Sequence, residues 1–176
     1  MRYVAFLRGI NVGKRRVKND ELGRVFDDLG FKNVKVLIAS GNIIFDADER
    51  DEAKLTTTVE DGLEKALGYQ VSVMLRSAPE VRQMLDREPF KGITVTKETR
   101  LYVTLLAGKA SSTLTLPHAS ADGSFKILSR EDREVYSVLT LSESGRTVDL
   151  MGVLEREYGK SATTRNWNTI QKIAAL

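Results

Sequence analysis

The chain has 176 residues, 41% of them hydrophobic and 29% charged, with no cysteine and a single histidine, His118. That apolar fraction is enough to offset chain entropy, which excludes global disorder and leaves one large domain or two small subdomains. The missing cysteines exclude disulfides, thiolate metal sites and thiol nucleophiles; one histidine argues against an all-protein zinc site and leaves any histidine-based triad a single choice.

No run approaches the roughly 18 apolar residues of a membrane span. The first nine residues also lack the basic and apolar regions of a secretory signal. The expectation is a cytoplasmic protein with no membrane partner, metal or cofactor. The net charge of +3 is unevenly spread: residues 1–35 carry +5, 36–155 carry −5 and 156–176 carry +3. If the termini meet, they make a positive field larger than the total suggests.

Arg2 to Arg8 alternates, with Tyr3, Ala5 and Leu7 on one side and Val4 and Phe6 on the other, and reads as a strand with two useful faces. Gly9 to Gly13 breaks it. Leu22, Val25, Phe26 and Leu29 recur at helical spacing, so a helix is predicted over 19–29, capped near Lys18 or Asn19 and stopped by Gly30. Val34 to Ala39 and Ile43 to Phe45 are β-rich runs joined by Ser40, Gly41 and Asn42, which tolerate the left-handed dihedrals of a reversal. Leu55, Val59, Leu63 and Leu67 then form one stripe of a helix over 51–67, ended by Gly68. Val71 to Leu75 returns as a strand. The order β-α-β-β-α-β is the split β-α-β motif of ferredoxin-like folds.

A second region follows. Pro79 suits the first turn of a helix running to about Arg87, and the Glu88–Pro89 junction ends it. Leu101 to Leu106 reads as a strand, and 108–123 as a stretch with a short helix at best. Phe125 to Leu128 and Val135 to Leu139 read as paired strands. A helix over 148–158 places Val148, Met151, Leu154 and Tyr158 inward. A last helix, capped by Thr163 or Thr164, turns Trp167, Ile170 and Ile173 or Ala174 inward. Burial of Trp167 is worth roughly 3 kcal/mol on transfer alone. The expected organisation is residues 1–76, a second α+β subdomain over 77–160, and a terminal helix over 161–176 packed on the body.

Three segments carry chemistry. In 8–18, two glycines after a strand expose backbone N–H groups among Arg8, Lys14, Arg15, Arg16 and Lys18, a composition that suits a phosphate or carboxylate. The spacing matches neither a Walker loop nor the dinucleotide fingerprint. Ser40 and Asn42 lie at a strand reversal: Ser40 is a nucleophile without an evident base, and Asn11 and Asn42 could share a polar network at one sheet edge. In 163–168, Arg165 and Asn168 stand three apart on one face at a predicted helix start, another plausible anion site. Tyr3, Phe6 and Phe31 invite comparison with sheet-based RNA binders, which need such rings on an open face. The acidic run Asp46, Asp48, Glu49, Asp51 and Glu52 reads as a solvated loop and helix start, and His118 as a loop residue.

Arg8-Gly-Ile-Asn-Val-Gly13, Ser40-Gly-Asn-Ile-Ile-Phe45 and Ala162-Thr-Thr-Arg-Asn-Trp-Asn-Thr169 together resemble the bacterial family catalogued as domain of unknown function 1697. The resemblance implies an α+β fold of two ferredoxin-like halves, of which the element pattern makes the second an incomplete or rearranged copy, and assigns no activity or catalytic residue. Relatives usually continue the first motif with a further glycine and an asparagine, then a methionine before the helix; here Lys14, Arg15 and Asn19 make the stretch more basic and less pliable.

The functional expectation is an anion-binding module for a nucleotide phosphate or a nucleic-acid backbone, using Arg8, Asn11, Lys14, Arg15, Arg16, Ser40, Asn42, Arg165 and Asn168. One alternative is a small enzyme acting on a phosphorylated or carboxylated metabolite, with a pocket joining the 9–13 loop to the 163–168 segment. The other is a structural or protein-interaction role. Whether the chain is enzymatic, and whether it forms homo-oligomers, is left open by the sequence.

Overall fold

A computed structural model describes residues 1–37, 41–143 and 149–176. The chain is a mixed α+β protein with two antiparallel sheets and, among the described residues, five helices. It divides into two units, Met1–Val81 and Arg82–Leu176.

In the first unit the elements are β1 (Arg2–Arg8), α1 (Asn19–Asp28), β2 (Lys32–Leu37), β3 (Asn42–Asp46), α2 (Glu52–Leu67), β4 (Ser72–Ser77) and the start of α3 (Ala78–Asp86). The sheet order is β2-β3-β1-β4, every neighbour antiparallel. β1 is central, and its alternation explains why. Tyr3, Ala5 and Leu7 join one core with Leu22, Val25 and Phe26 of α1 and Leu55, Val59 and Leu63 of α2. Val4 and Phe6, aligned with Ile44 and Met74, are buried on the opposite face. Both faces are thus covered, as expected of a strand apolar at successive positions.

Local chemistry sets the ends. Asp51 caps α2 by accepting the Lys54 N–H at 3.1 Å, and Gly68 stops it at φ 81°. The cap of α1 is Lys18, whose N–H donates to the Glu21 carboxylate three residues on. At the opposite end of β1, Arg2 Nε meets Asp46 Oδ1 at 3.0 Å across the sheet, and Asn33 Nδ2 donates to Asp46 Oδ2 at 2.7 Å.

The second unit contains β5 (Thr99–Leu106), β6 (His118–Ala119), β7 (Phe125–Glu131), β8 (Glu134–Thr140), α4 (Leu150–Tyr158), β9 (Ala162–Asn166) and α5 (Trp167–Ala174). Its order is β6-β7-β8-β5-β9, again antiparallel throughout. One core gathers Leu106, Phe125, Ile127, Val135, Leu139 and Ala162 with Leu150 and Leu154 of α4. Elsewhere in the unit, Trp167 meets Phe90 and Tyr136 edge-on at centroid distances of 5.2 and 6.1 Å.

Several expectations need correction. Residues 162–166 are a strand, and α5 begins only at Trp167 with Asn166 as its cap, so neither Thr163 nor Thr164 caps a helix. The reason is tertiary: β5 offers an open ladder, and the β-branched threonines fit a pleated surface better than a helix. Met151 is 42% exposed rather than inward, because α4 buries Leu150 and Leu154 instead. Val148 lies outside the described residues. His118 is in the short strand β6 rather than in a loop, while 108–123 holds no helix, within the short helix at best that its breakers allow. Of the three rings in the base-stacking comparison, Tyr3 is 2% and Phe6 0% exposed, and Phe31 packs partly buried against the first unit's core.

Candidate functional site

At the end of β1 the chain enters left-handed conformations at Gly9, Asn11 and Gly13, with φ of 88°, 50° and 60°. Two buried side chains, Ile10 and Val17, anchor the loop at its ends. Asn11 Oδ1 accepts the Val17 N–H at 2.8 Å, and the Arg15 N–H donates to the Val12 carbonyl at 3.1 Å. Closed in this way, the loop turns Val12, Gly13, Lys14, Arg15 and Arg16 outward, all exposed.

Both arginines reach back to the loop's own carbonyls, Arg16 closely and Arg15 at longer range. Arg16 Nη1 donates to Gly13 O at 2.9 Å and to Arg15 O at 2.6 Å. Arg15 Nη1 lies 3.5 Å from Gly9 O, and its guanidinium carbon stands 4.1 Å from the centroid of the Tyr69 ring. An exposed cation–π contact of this kind is worth about 0.5–1 kcal/mol. Arg8, half-buried at the end of β1, is already engaged. Tyr69 follows the glycine that stops α2, and its half-buried ring packs on the unit's core. A Cβ built on Gly9 would stand 3.9 Å from the Gln70 carbonyl oxygen, so the α2–β4 connection borders the loop. Tyr69 was not singled out from the sequence; a lone aromatic after a helix stop carries no periodic signal.

The second motif reaches the same end of the unit. The Leu7 N–H donates to the Gly41 carbonyl at 2.9 Å. Gly41 has φ 76°, and a Cβ there would come within 2.4 Å of Ile10 Cδ1 and 3.0 Å of Leu7 Cβ. Only glycine fits, which ties the 8–13 and 40–45 segments together physically. Asn42 is fully buried and donates from Nδ2 to Leu37 O at 3.1 Å, bracing the hairpin where Leu37 and Asn42 pair. Ser40 lies outside the described residues.

In the second unit Arg165 is 5% exposed in β9, with Nη1 donating to Thr163 Oγ1 at 2.6 Å and Thr164 O at 3.0 Å. Burial draws its pKa down to about 10, so it remains a cation at neutral pH. Thr164 shares a 2.8 Å hydroxyl contact with Thr104. Asn168 is exposed on α5; with Arg165 in a strand, the two do not share a helix face. Val103 of β5 aligns with Arg165 on one side and Tyr136 on the other. Near Tyr136, Arg87 Nη1 meets Glu134 Oε2 at 3.2 Å, the carboxylate side being only 6% exposed. Burial, reinforced by Glu134, pushes the Tyr136 phenol up to about 12. The Arg87 guanidinium is close enough to oppose that shift, yet among the described residues the hydroxyl meets no hydrogen-bond partner at good geometry.

The acidic run is absorbed locally. Asp46 pairs with Arg2 and Asn33, which lower its pKa, while Lys54 and the N–H groups of Asp51 and Arg50 hold Glu49 at about 2. Among the described residues no cluster of histidine and carboxylates is arranged to hold a metal, and no helix is long and apolar enough to cross a membrane. A groove of about 350 Å³ between α1 and α2 is lined by Val25, Leu29, Gly62 and Ala66 with Asp28 and Lys65. It lacks the several convergent polar groups of a typical ligand site.

The chain matches none of the curated proteins. Its fold is similar to that of the conserved bacterial protein SP0830 from Streptococcus pneumoniae, with a TM-score of 0.73 and 21% identity over 99% of this chain and 97% of that one. Residues 1–136 match the family model described as protein of unknown function (DUF1697), a span that includes the basic loop and the Gly41 hairpin but ends before β9. More than half the chain is covered, and the protein belongs to the DUF1697 family.

Proposed function

We propose that the 9–18 loop of the first unit binds a small phosphate-bearing molecule, with Lys14, Arg15 and Arg16 supplying charge. The observation that carries it is a closed, glycine-bearing loop anchored by the buried Ile10 and Val17, in which Lys14, Arg15 and Arg16 are exposed together with Val12. Left-handed positions alternate at Gly9, Asn11 and Gly13, the kind of backbone in which N–H groups can converge on an anion, and the adjoining cations add the charge such a cradle needs. Arg8 supports the base of the loop. Arg165, buried and bonded within β9, is not needed for this role, and Asn42 acts by bracing the hairpin. A small ligand is favoured over a nucleic-acid backbone because two of the three rings expected to stack bases, Tyr3 and Phe6, are inside the sheet, and the third, Phe31, packs against the core.

The test is calorimetric titration with pyrophosphate and with an oligonucleotide at low and physiological ionic strength. Micromolar to millimolar pyrophosphate binding that weakens with salt is expected, with at least a tenfold loss in Lys14→Glu/Arg16→Glu. No binding at low salt would overturn the proposal. Oligonucleotide binding far tighter than pyrophosphate binding would do so as well, in favour of nucleic acid.

For the fold, we infer two ferredoxin-like halves. Supporting this, the first unit's order β2-β3-β1-β4 recurs in the second as β7-β8-β5-β9, with β6 added outside β7. α2 precedes β4 as α4 precedes β9, and each final strand runs directly into a helix, α3 or α5. The rearrangement lies between β5 and β7, where residues 107–124 replace a helix corresponding to α1.

A further inference from the structure

We propose that the molecule bound by the basic loop is a nucleotide, recognised by the exchangeable pair Arg15 and Tyr69; this deepens, and rests on, the phosphate-binding reading above. The planar guanidinium of Arg15 lies 4.1 Å from the Tyr69 centroid, near the distance at which a base would stack on that ring. The ring itself is a firm platform, held by packing against the core of the first unit. Its cover is not firm. Arg15 is exposed, and its guanidinium also makes a long 3.5 Å contact to Gly9 O.

A phosphate arriving between Lys14 and Arg16 offers Arg15 charge-assisted, bidentate hydrogen bonds that outweigh an exposed cation–π contact. As the guanidinium turns to the phosphate, the tyrosine face it leaves is wetted unless another flat group covers it. A nucleobase attached to that phosphate does so; a sugar phosphate or pyrophosphate does not. Stacking reads the flat face of a ring and not its edge, so discrimination between bases is expected to be weak.

The experiment compares ADP, ribose 5-phosphate and pyrophosphate in calorimetric titrations of the full chain and of Tyr69→Leu, Tyr69→Phe and Arg15→Gln. In the unchanged protein ADP binds at least tenfold tighter than pyrophosphate, and the tyrosine ring resonances that vanish in Tyr69→Leu move upfield with ADP alone. Tyr69→Leu brings ADP and pyrophosphate to the same affinity, and Tyr69→Phe keeps the preference. Arg15→Gln weakens pyrophosphate and retains the ratio in favour of ADP; this variant decides the matter if Tyr69→Leu fails to fold. Equal binding of ADP and pyrophosphate, or an ADP preference that survives Tyr69→Leu, overturns the nucleotide assignment and leaves phosphate binding standing. No binding of any of the three at low ionic strength overturns both.

Discussion

Tyr136 is fully buried, and its phenol is pushed up to about 12, first by burial and then by the Glu134 carboxylate. The folded state therefore favours the protonated form. The contribution is fully present below the ordinary phenol value of 10 and is lost as pH rises through about 12, a change of roughly 2–3 kcal/mol for a shift of this size. Tyr136→Phe should match or slightly exceed the parent's stability at neutral pH, since the hydroxyl it removes meets no well-placed partner among the described residues. It should also lose less stability across the alkaline range. Urea midpoints for both proteins on either side of that range check this, and parallel losses would contradict it. Gly41 makes the complementary point about backbone. Its need is set by Ile10 and Leu7, neither of which is near it in sequence.

At the scale of elements, α5 shows periodicity and tertiary pairing dividing the work. Trp167, Ile170 and Ile173 are buried, as their spacing implies, yet the helix starts where the ladder of β9 with β5 ends. Trp167 contacts the rings of Phe90 and Tyr136, so truncation removes both transfer energy and edge contacts. Trp167→Ala should cost about 3–5 kcal/mol in chemical denaturation, and Trp167→Phe clearly less. A cost below about 1 kcal/mol for the alanine variant would mean that α5 is not held through this side chain.

Across the whole molecule, two antiparallel sheets each have an internal strand from a β-α or β-loop crossover, β1 and β5, paired on both sides. Residues deep in these strands are buried, whereas β2 and β6 lie at edges and are partly exposed. Amide exchange should be slowest at Val4–Phe6 and Val103–Leu105, and at least about tenfold faster in β2 and β6, a difference of about 1.4 kcal/mol in opening. Uniform protection from β2 to β1 would indicate that the first sheet opens only as one cooperative unit. The charge pattern also acts at this scale: a small net excess conceals a strongly basic first segment, whose exposed cations include Lys14, Arg15, Arg16 and Lys18.

The sequence by itself determined most of the first unit. Alternation in 2–8, helical spacing in 22–29 and 55–67, and stops at Gly30 and Gly68 are local signals, and each depends on neighbours a few residues apart. It also marked the basic loop, because glycine conformations and charge density are visible in composition. Only the tertiary structure decided that Tyr69 borders that loop, that Arg165 is buried in a strand, and that Glu134, Arg87 and Tyr136 share an interior. Those outcomes depend on which strands pair and which connections meet. Two β-branched threonines before a tryptophan are compatible with a cap or a ladder until a partner strand such as β5 is in place, and a lone aromatic after a helix has no periodicity from which its neighbours can be read.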